Sequence, residues 1–230
     1  RNITIKGGVV MRSKTRNIRR ATQDLDIDFI RLSLSNEAID TFISKLNCLD
    51  GITLKRYGEI EELKQQDYKG KRVFIQLQDD AGNMIVNKLD IGVHTHLNLE
   101  QEEYCFDIAF DEEGASVLIN TNEQMFAEKL QSLLRLGTIS TRYKDIFDMY
   151  YLSQHVDSYA LCRCLDTCVF SDSRMRENNL QEILARLEFT FQNKNYLKRV
   201  DRAKTKWIDL EIDTVVEGIK SALEKCKQIE

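Results

Sequence analysis

The rhythm of hydrophobic and polar positions changes once along the chain, near residue 121. Before it the alternation is mostly strand-like. Residues 24–34 put Leu25, Ile27 and Phe29 on one side and Asp24, Asp26 and Asp28 on the other, the period of a strand with one buried face. Residues 36–49 space Ala38, Ile39, Phe42, Ile43 and Leu46 as a helix does. Strands are predicted at 52–57, 73–78, 84–95, 104–110 and 115–120, with turn chemistry at Asp79-Asp80-Ala81-Gly82-Asn83 for a hairpin between the second and third of these. Beyond residue 121 the period is helical: 122–136 with Gly137 as its stop, then 142–154, 158–170, 177–192 and 212–229. The pattern describes an α+β protein, with an N-terminal mixed β-sheet domain at 1–121 and a C-terminal helical bundle at 122–230.

Composition narrows the class. With 42% hydrophobic and 30% charged residues among 230, the chain is globular rather than disordered. No stretch reaches the roughly 18 uncharged apolar residues of a membrane span. Charges at Arg1, Lys6 and Arg12 leave no signal-peptide pattern, so cytoplasmic residence is expected. The chain opens shortly before its first motif, and a further N-terminal segment is expected ahead of it. There is no proline, so helix ends and turns fall to Gly, Asn, Asp and Ser. The six cysteines include a cluster, Cys162, Cys164 and Cys168, in an apolar segment without paired C-x-x-C spacing, which reads as reduced structural thiols and not as a zinc site. His94 and His96, just beyond Asp90 on the same strand face, read as surface residues at a strand end, with metal ligation as the alternative.

Net charge is −4, which gives no global basic field. The charge is nevertheless uneven. Arg12, Lys14, Arg16, Arg19 and Arg20 run directly into Asp24, Asp26 and Asp28. A second basic run, Lys194 to Lys206, is interleaved with Tyr196 and followed by Trp207. It reads as a solvated helix face or as a surface for an RNA backbone, with the aromatics stacking on bases.

The three aspartates sit roughly 7 Å apart along one strand face. Like charges so placed repel unless water screens them or a cation joins them. Mg²⁺ takes hard oxygen ligands and leaves room for phosphate oxygens, so such a pair suits it. Lys88-Leu89-Asp90-Ile91-Gly92-Val93 sets one acid opposite an apolar strand face, and on a neighbouring strand Asp90 would join Asp24 and Asp26 as a third ligand. A solvated acidic edge strand has the same spacing, and the aspartates alone do not decide between the two.

Upstream, Ile3 to Val10 ends an apolar stretch around Gly7-Gly8, where bare backbone would let N–H groups approach phosphate closely. The order Gly7-Gly8, a basic segment, then Arg20-x-Thr22-x-Asp24-Leu25-Asp26 resembles the polymerase-β-like nucleotidyltransferases, and in particular the AbiEii/AbiGii toxins of type IV toxin–antitoxin and phage-defence systems. The resemblance extends through Asp90, through Lys129 in Glu128-Lys129-Leu130, and through Arg142-Tyr143-Lys144-Asp145-Ile146-Phe147-Asp148, about two thirds of the chain. It departs at Val9, where the family has Ser or Thr.

What the resemblance implies is a nucleotidyltransferase domain followed by a helical domain, moving an NMP from an NTP to an acceptor and releasing pyrophosphate. Asp24, Asp26 and Asp90 would hold Mg²⁺. Gly7, Gly8, Arg20, Thr22 and Lys129 would hold the NTP, and Asp145 or Asp148 would orient Lys129 or the acceptor. Read without the family, Lys129 is a lysine that snorkels from beside an apolar helix face, and the two aspartates form local ion pairs. The acceptor implied is RNA, at the tRNA 3′ end, with a separately encoded antitoxin as partner. A protein or small-molecule acceptor such as an aminoglycoside, or an inactive nucleotide- or RNA-binding module, are the competing readings.

Overall fold

The computed structural model describes residues 2–63, 70–108 and 111–227. These fall into two compact units, Arg1–Asn120 and Thr121–Glu230. The last two positions of the strand predicted at 104–110, and of the helix predicted at 212–229, lie outside the described residues.

The first unit runs β1 (Ile3–Lys6), α1 (Gly8–Thr15), β2 (Leu25–Phe29), α2 (Asn36–Lys45), β3 (Ile52–Glu62), β4 (Lys71–Asp79), β5 (Met84–Val93), β6 (Gln101–Ile108) and β7 (Asp111–Asn120). The strands form one mixed sheet of seven, ordered β3-β4-β5-β2-β1-β7-β6. β2 lies parallel to β5 and β1 parallel to β7, while the remaining neighbours are antiparallel. Asp79–Asn83 closes the β4–β5 hairpin, with the Asn83 amide donating to Asp79 Oδ1 at 2.8 Å.

Alternation makes one face of this sheet apolar. Ile27, Phe29, Val73, Ile75, Leu89 and Ile91 form a buried core with Ile39 and Ile43 of α2. The Phe42 ring meets Phe29 edge-on at 5.2 Å. α2 begins where it does because the Ser35 hydroxyl accepts the Ala38 N–H. The even-numbered positions of β2 therefore face the other way, carrying their carboxylates out of the core.

The second unit contains α3 (Asn122–Leu136), a 3₁₀ turn at Gly137–Ile139, α4 (Tyr143–Ser153), α5 (Ser158–Leu165) running into a π turn at Asp166–Phe170, α6 (Leu180–Gln192), α7 (Lys194–Asp201) and α8 (Ile212–Cys226). α3 starts on a Thr121 cap that accepts the Gln124 N–H. It packs on α4 and α5, and α8 packs on the same two helices. No helix among the described residues is long and apolar enough to cross a membrane.

Two helices differ from expectation, α1 and α7, which the sequence pattern leaves as a glycine turn and a basic run. Tyr196 and Trp207 are 0% and 4% exposed. They are core residues, not a surface for stacking on bases. Cys164 and Cys168 are buried free thiols, and burial pushes both up from the ordinary thiol pKa, Cys164 to about 12.

Candidate active site

The sheet register brings the distant acidic residues into one row. Arg72 of β4 lies opposite Asp90 of β5, Asp90 opposite Asp26 of β2, and Asp26 opposite Lys6 of β1. Residues directly opposite one another share a face, so Asp26 and Asp90 are neighbours although 64 positions apart in the sequence. Asp24 and Asp28 flank Asp26 along the strand.

Cations of the chain itself attend this acidic face. Lys88 Nζ lies 2.6 Å from Asp24 Oδ1. Lys6 Nζ lies 2.7 Å from both oxygens of the buried Asp28. Arg72 grips Asp90 with a two-pronged hydrogen bond, Nε to Oδ1 and Nη2 to Oδ2, each 2.8 Å. That bond, outweighing burial, raises the guanidinium pKa above its ordinary value. Among the described residues no three His, Cys, Asp or Glu side chains are gathered to hold a metal. Asp90 is a neighbour of Asp26 by register, but its carboxylate is turned to Arg72.

The glycine pair packs onto this row. Gly7 adopts φ 70° as the N-cap of α1, with no side-chain cap. A Cβ on Gly7 would collide with Asp26 Oδ2, and one on Gly8 would collide with Thr22 Oγ1. Both positions need glycine, one for its left-handed φ and both for close approach. Gly7, Gly8, Thr22 and Asp26 therefore meet at the start of a helix, where first-turn N–H groups lack carbonyl partners within the helix. Val9 lies in that first turn. Arg20 is buried at 3% exposure, with Nη1 donating to the Ala21 carbonyl at 3.4 Å. Thr22 Oγ1 donates to the Asp24 carbonyl at 3.4 Å.

In the second unit, Lys129 does not snorkel. Its Nζ lies 2.6 Å from Asp145 Oδ1 and 2.9 Å from Asp148 Oδ2, with the lysine side chain 13% and Asp148 0% exposed. Burial opposes the ammonium charge, but the two carboxylates together overcome it and raise the lysine pKa. Trp207 Nε1 donates to Asp148 Oδ1 at 3.0 Å. Lys129 thus links α3 to α4 through both carboxylates.

Motif spacing does not point to Arg72, Lys88 or Lys6 as partners of the carboxylates, and it reads Trp207 as a base-stacking aromatic. Lys88 precedes Asp90 by two residues, so strand alternation alone places it on the acidic face. Arg72 required the β4–β5 register, and Trp207 has no local signal. His94, expected at the surface, is 5% exposed with Nε2 3.2 Å from the His96 carbonyl.

The structure thus sets a helix that opens on two glycines beside an acidic strand face, as the sequence resemblance implies for a nucleotidyltransferase. Comparison with known proteins leads to the same class. Residues 1–217 match the family model described as nucleotidyl transferase AbiEii toxin, type IV TA system, and the chain belongs to that family. None of the curated proteins searched matches it.

Proposed function

We propose that the protein is a Mg²⁺-dependent toxin that transfers an NMP from an NTP to RNA, at the tRNA 3′ end, with release of pyrophosphate. The observation that carries this reading is the packing of Gly7 against the Asp26 carboxylate, which joins a phosphate-cradling turn to an acidic strand. The donor set suits Mg²⁺: Asp24 and Asp26 supply hard oxygens from one strand face, and a cation of the chain already sits at Asp24. Asp24 and Asp26 would hold the metal, with Asp90 completing the acidic face from β5. Bound there, Mg²⁺ supplies positive charge against the negative charge that builds on the α-phosphate and the departing pyrophosphate.

The protein's own groups do the rest. Backbone N–H groups at Gly8 and the first turn of α1 receive phosphate oxygens. Thr22 fixes the turn beside them. The acceptor hydroxyl oxygen attacks the α-phosphorus, the bond to the bridging oxygen breaks, and pyrophosphate leaves. Asp90 takes the hydroxyl proton; a carboxylate oxygen that accepts one hydrogen bond from Arg72 keeps a second lone pair for it. Lys129, which the family resemblance assigns to the phosphates, is held in the second unit between Asp145 and Asp148. A separately encoded antitoxin would be its partner, which the type IV TA family supports, and phage defence would be its setting.

Incubation with Mg²⁺, each α-³²P-labelled NTP in turn, and total RNA or cell extract tests this. Label is expected in tRNA with wild type and not with Asp26→Asn. Label in protein or a small molecule would change the acceptor, and no label with any of the four nucleotides would sink the catalytic reading.

A further inference from the structure

Cations of the chain lie at contact distance from Asp28, Asp90 and Asp24 of the acidic face, and these contacts differ in kind. Lys6–Asp28 is a buried pair, with side chains 18% and 6% exposed. Arg72–Asp90 is a two-pronged grip. Lys88–Asp24 is as short at 2.6 Å but joins side chains 27% and 47% exposed, and its carboxylate is the most open to solvent of the three. A buried pair resists exchange because either partner alone would be left desolvated, whereas an exposed pair is worth at most about 1 kcal/mol and exchanges readily. Asp24 is also where the strand face meets solvent, next to the Thr22 segment that packs on the glycine turn. A cation arriving from solvent therefore meets the acidic face at the position where the resident ammonium is easiest to displace.

We infer that Lys88 is a further residue of the metal site, a resident counter-ion of Asp24 that a divalent cation must displace in order to bind. This rests on the proposed assignment of Asp24 and Asp26 as metal ligands. It explains how the acidic face is tolerated when no metal is bound, since its repulsion is met by ammonium and guanidinium groups. It also gives Lys88 an effect opposite in sign to that of an ordinary site residue: its removal improves cation binding.

The test is Mn²⁺ binding to the full chain, read by the loss of the free-ion EPR signal, for wild type, Lys88→Met, Lys88→Arg, Asp24→Asn and the Lys88→Met/Asp24→Asn double variant. An exposed pair worth up to about 1 kcal/mol corresponds to a factor of up to about five in affinity. Lys88→Met is expected to tighten Mn²⁺ binding about three- to fivefold, Lys88→Arg is not, and Asp24→Asn is expected to weaken it. In the Asp24→Asn background the Lys88→Met gain disappears, because there is no carboxylate left to compete for. A gain that persists in that background would mean that Lys88 acts only through its long-range charge, and would overturn the inference. Equal affinities of wild type and Lys88→Met, with Asp24→Asn still weakened, would overturn it while leaving the metal site standing. Affinity unchanged by Asp24→Asn would remove the metal-site reading and this inference with it.

Discussion

Asp26 is the residue on which the strand row and the glycine turn converge. Asp26→Asn keeps its shape and removes its charge, so transfer is expected to fall at least ~100-fold with little change in thermal stability, measured by label incorporation and a melting curve. Gly7→Ala does the reverse of sparing the fold. It strains a positive φ and drives a methyl group into the Asp26 carboxylate, and both activity and melting temperature should drop. Lys129 is governed by a different balance. Removing it leaves Asp148 buried without that cation, so Lys129→Met should cost about 3 kcal/mol in urea unfolding. Its pKa is raised in the folded state by Asp145 and Asp148. Its contribution is therefore complete below the ordinary lysine pKa of about 10.4 and is lost as pH rises through the higher folded value. The stability gap between wild type and Lys129→Met should accordingly be constant from pH 7 to 9 and narrow above about pH 10.4.

Elements were legible where the pattern was long and one face was buried. α3 was predicted at its observed bounds because Phe126, Leu130, Leu133 and Leu134 keep helical spacing between a Thr121 cap and Gly137. The β4–β5 hairpin was legible from its turn residues. α1 was not: it has eight residues, a glycine cap without a side chain, no acid in its first turn, and only Val10 and Met11 buried. α7 buries just Tyr196 and Val200 beneath a basic surface, so its charges hid its period. The β3 strand runs on to Glu62 through mostly exposed residues, which alternation cannot register. For the site, Asp24 and Asp26 were readable from local spacing. The cation of Asp90 was not, because Arg72 reaches it only through the register of β4 on β5. Packing can also reverse a local preference. A glycine inside a helix is normally improved by alanine, but a Cβ at Gly218 of α8 would come within 2.6 Å of the Tyr150 ring. Gly218→Ala should therefore lower stability by about 1–3 kcal/mol in urea unfolding instead of raising it.

At the scale of the whole molecule, the strand-rich and helical halves each carry part of the motif on which the sequence resemblance rests: Gly7, Gly8, Arg20, Thr22, Asp24, Asp26 and Asp90 in one, Lys129, Asp145 and Asp148 in the other. Production of the wild-type protein in a bacterial host without an antitoxin is expected to arrest growth, and Asp26→Asn at equal protein level is expected to lift the arrest, checked by colony counts. The parallel pairing of β2 with β5 sets a rule for how the gene can change length. Between Phe29 and Met84 lie α2, β3, β4 and their connections, where added or lost codons at loop tips leave the Asp26–Asp90 apposition intact. Within either strand, a single inserted codon would turn every following side chain over, sending an aspartate into the hydrophobic layer and an isoleucine into the site. Insertion scanning from β2 through β5 should therefore find tolerance at the loop tips and none inside the core-forming elements, with insertions in β2 or β5 also separating Asp26 from Asp90.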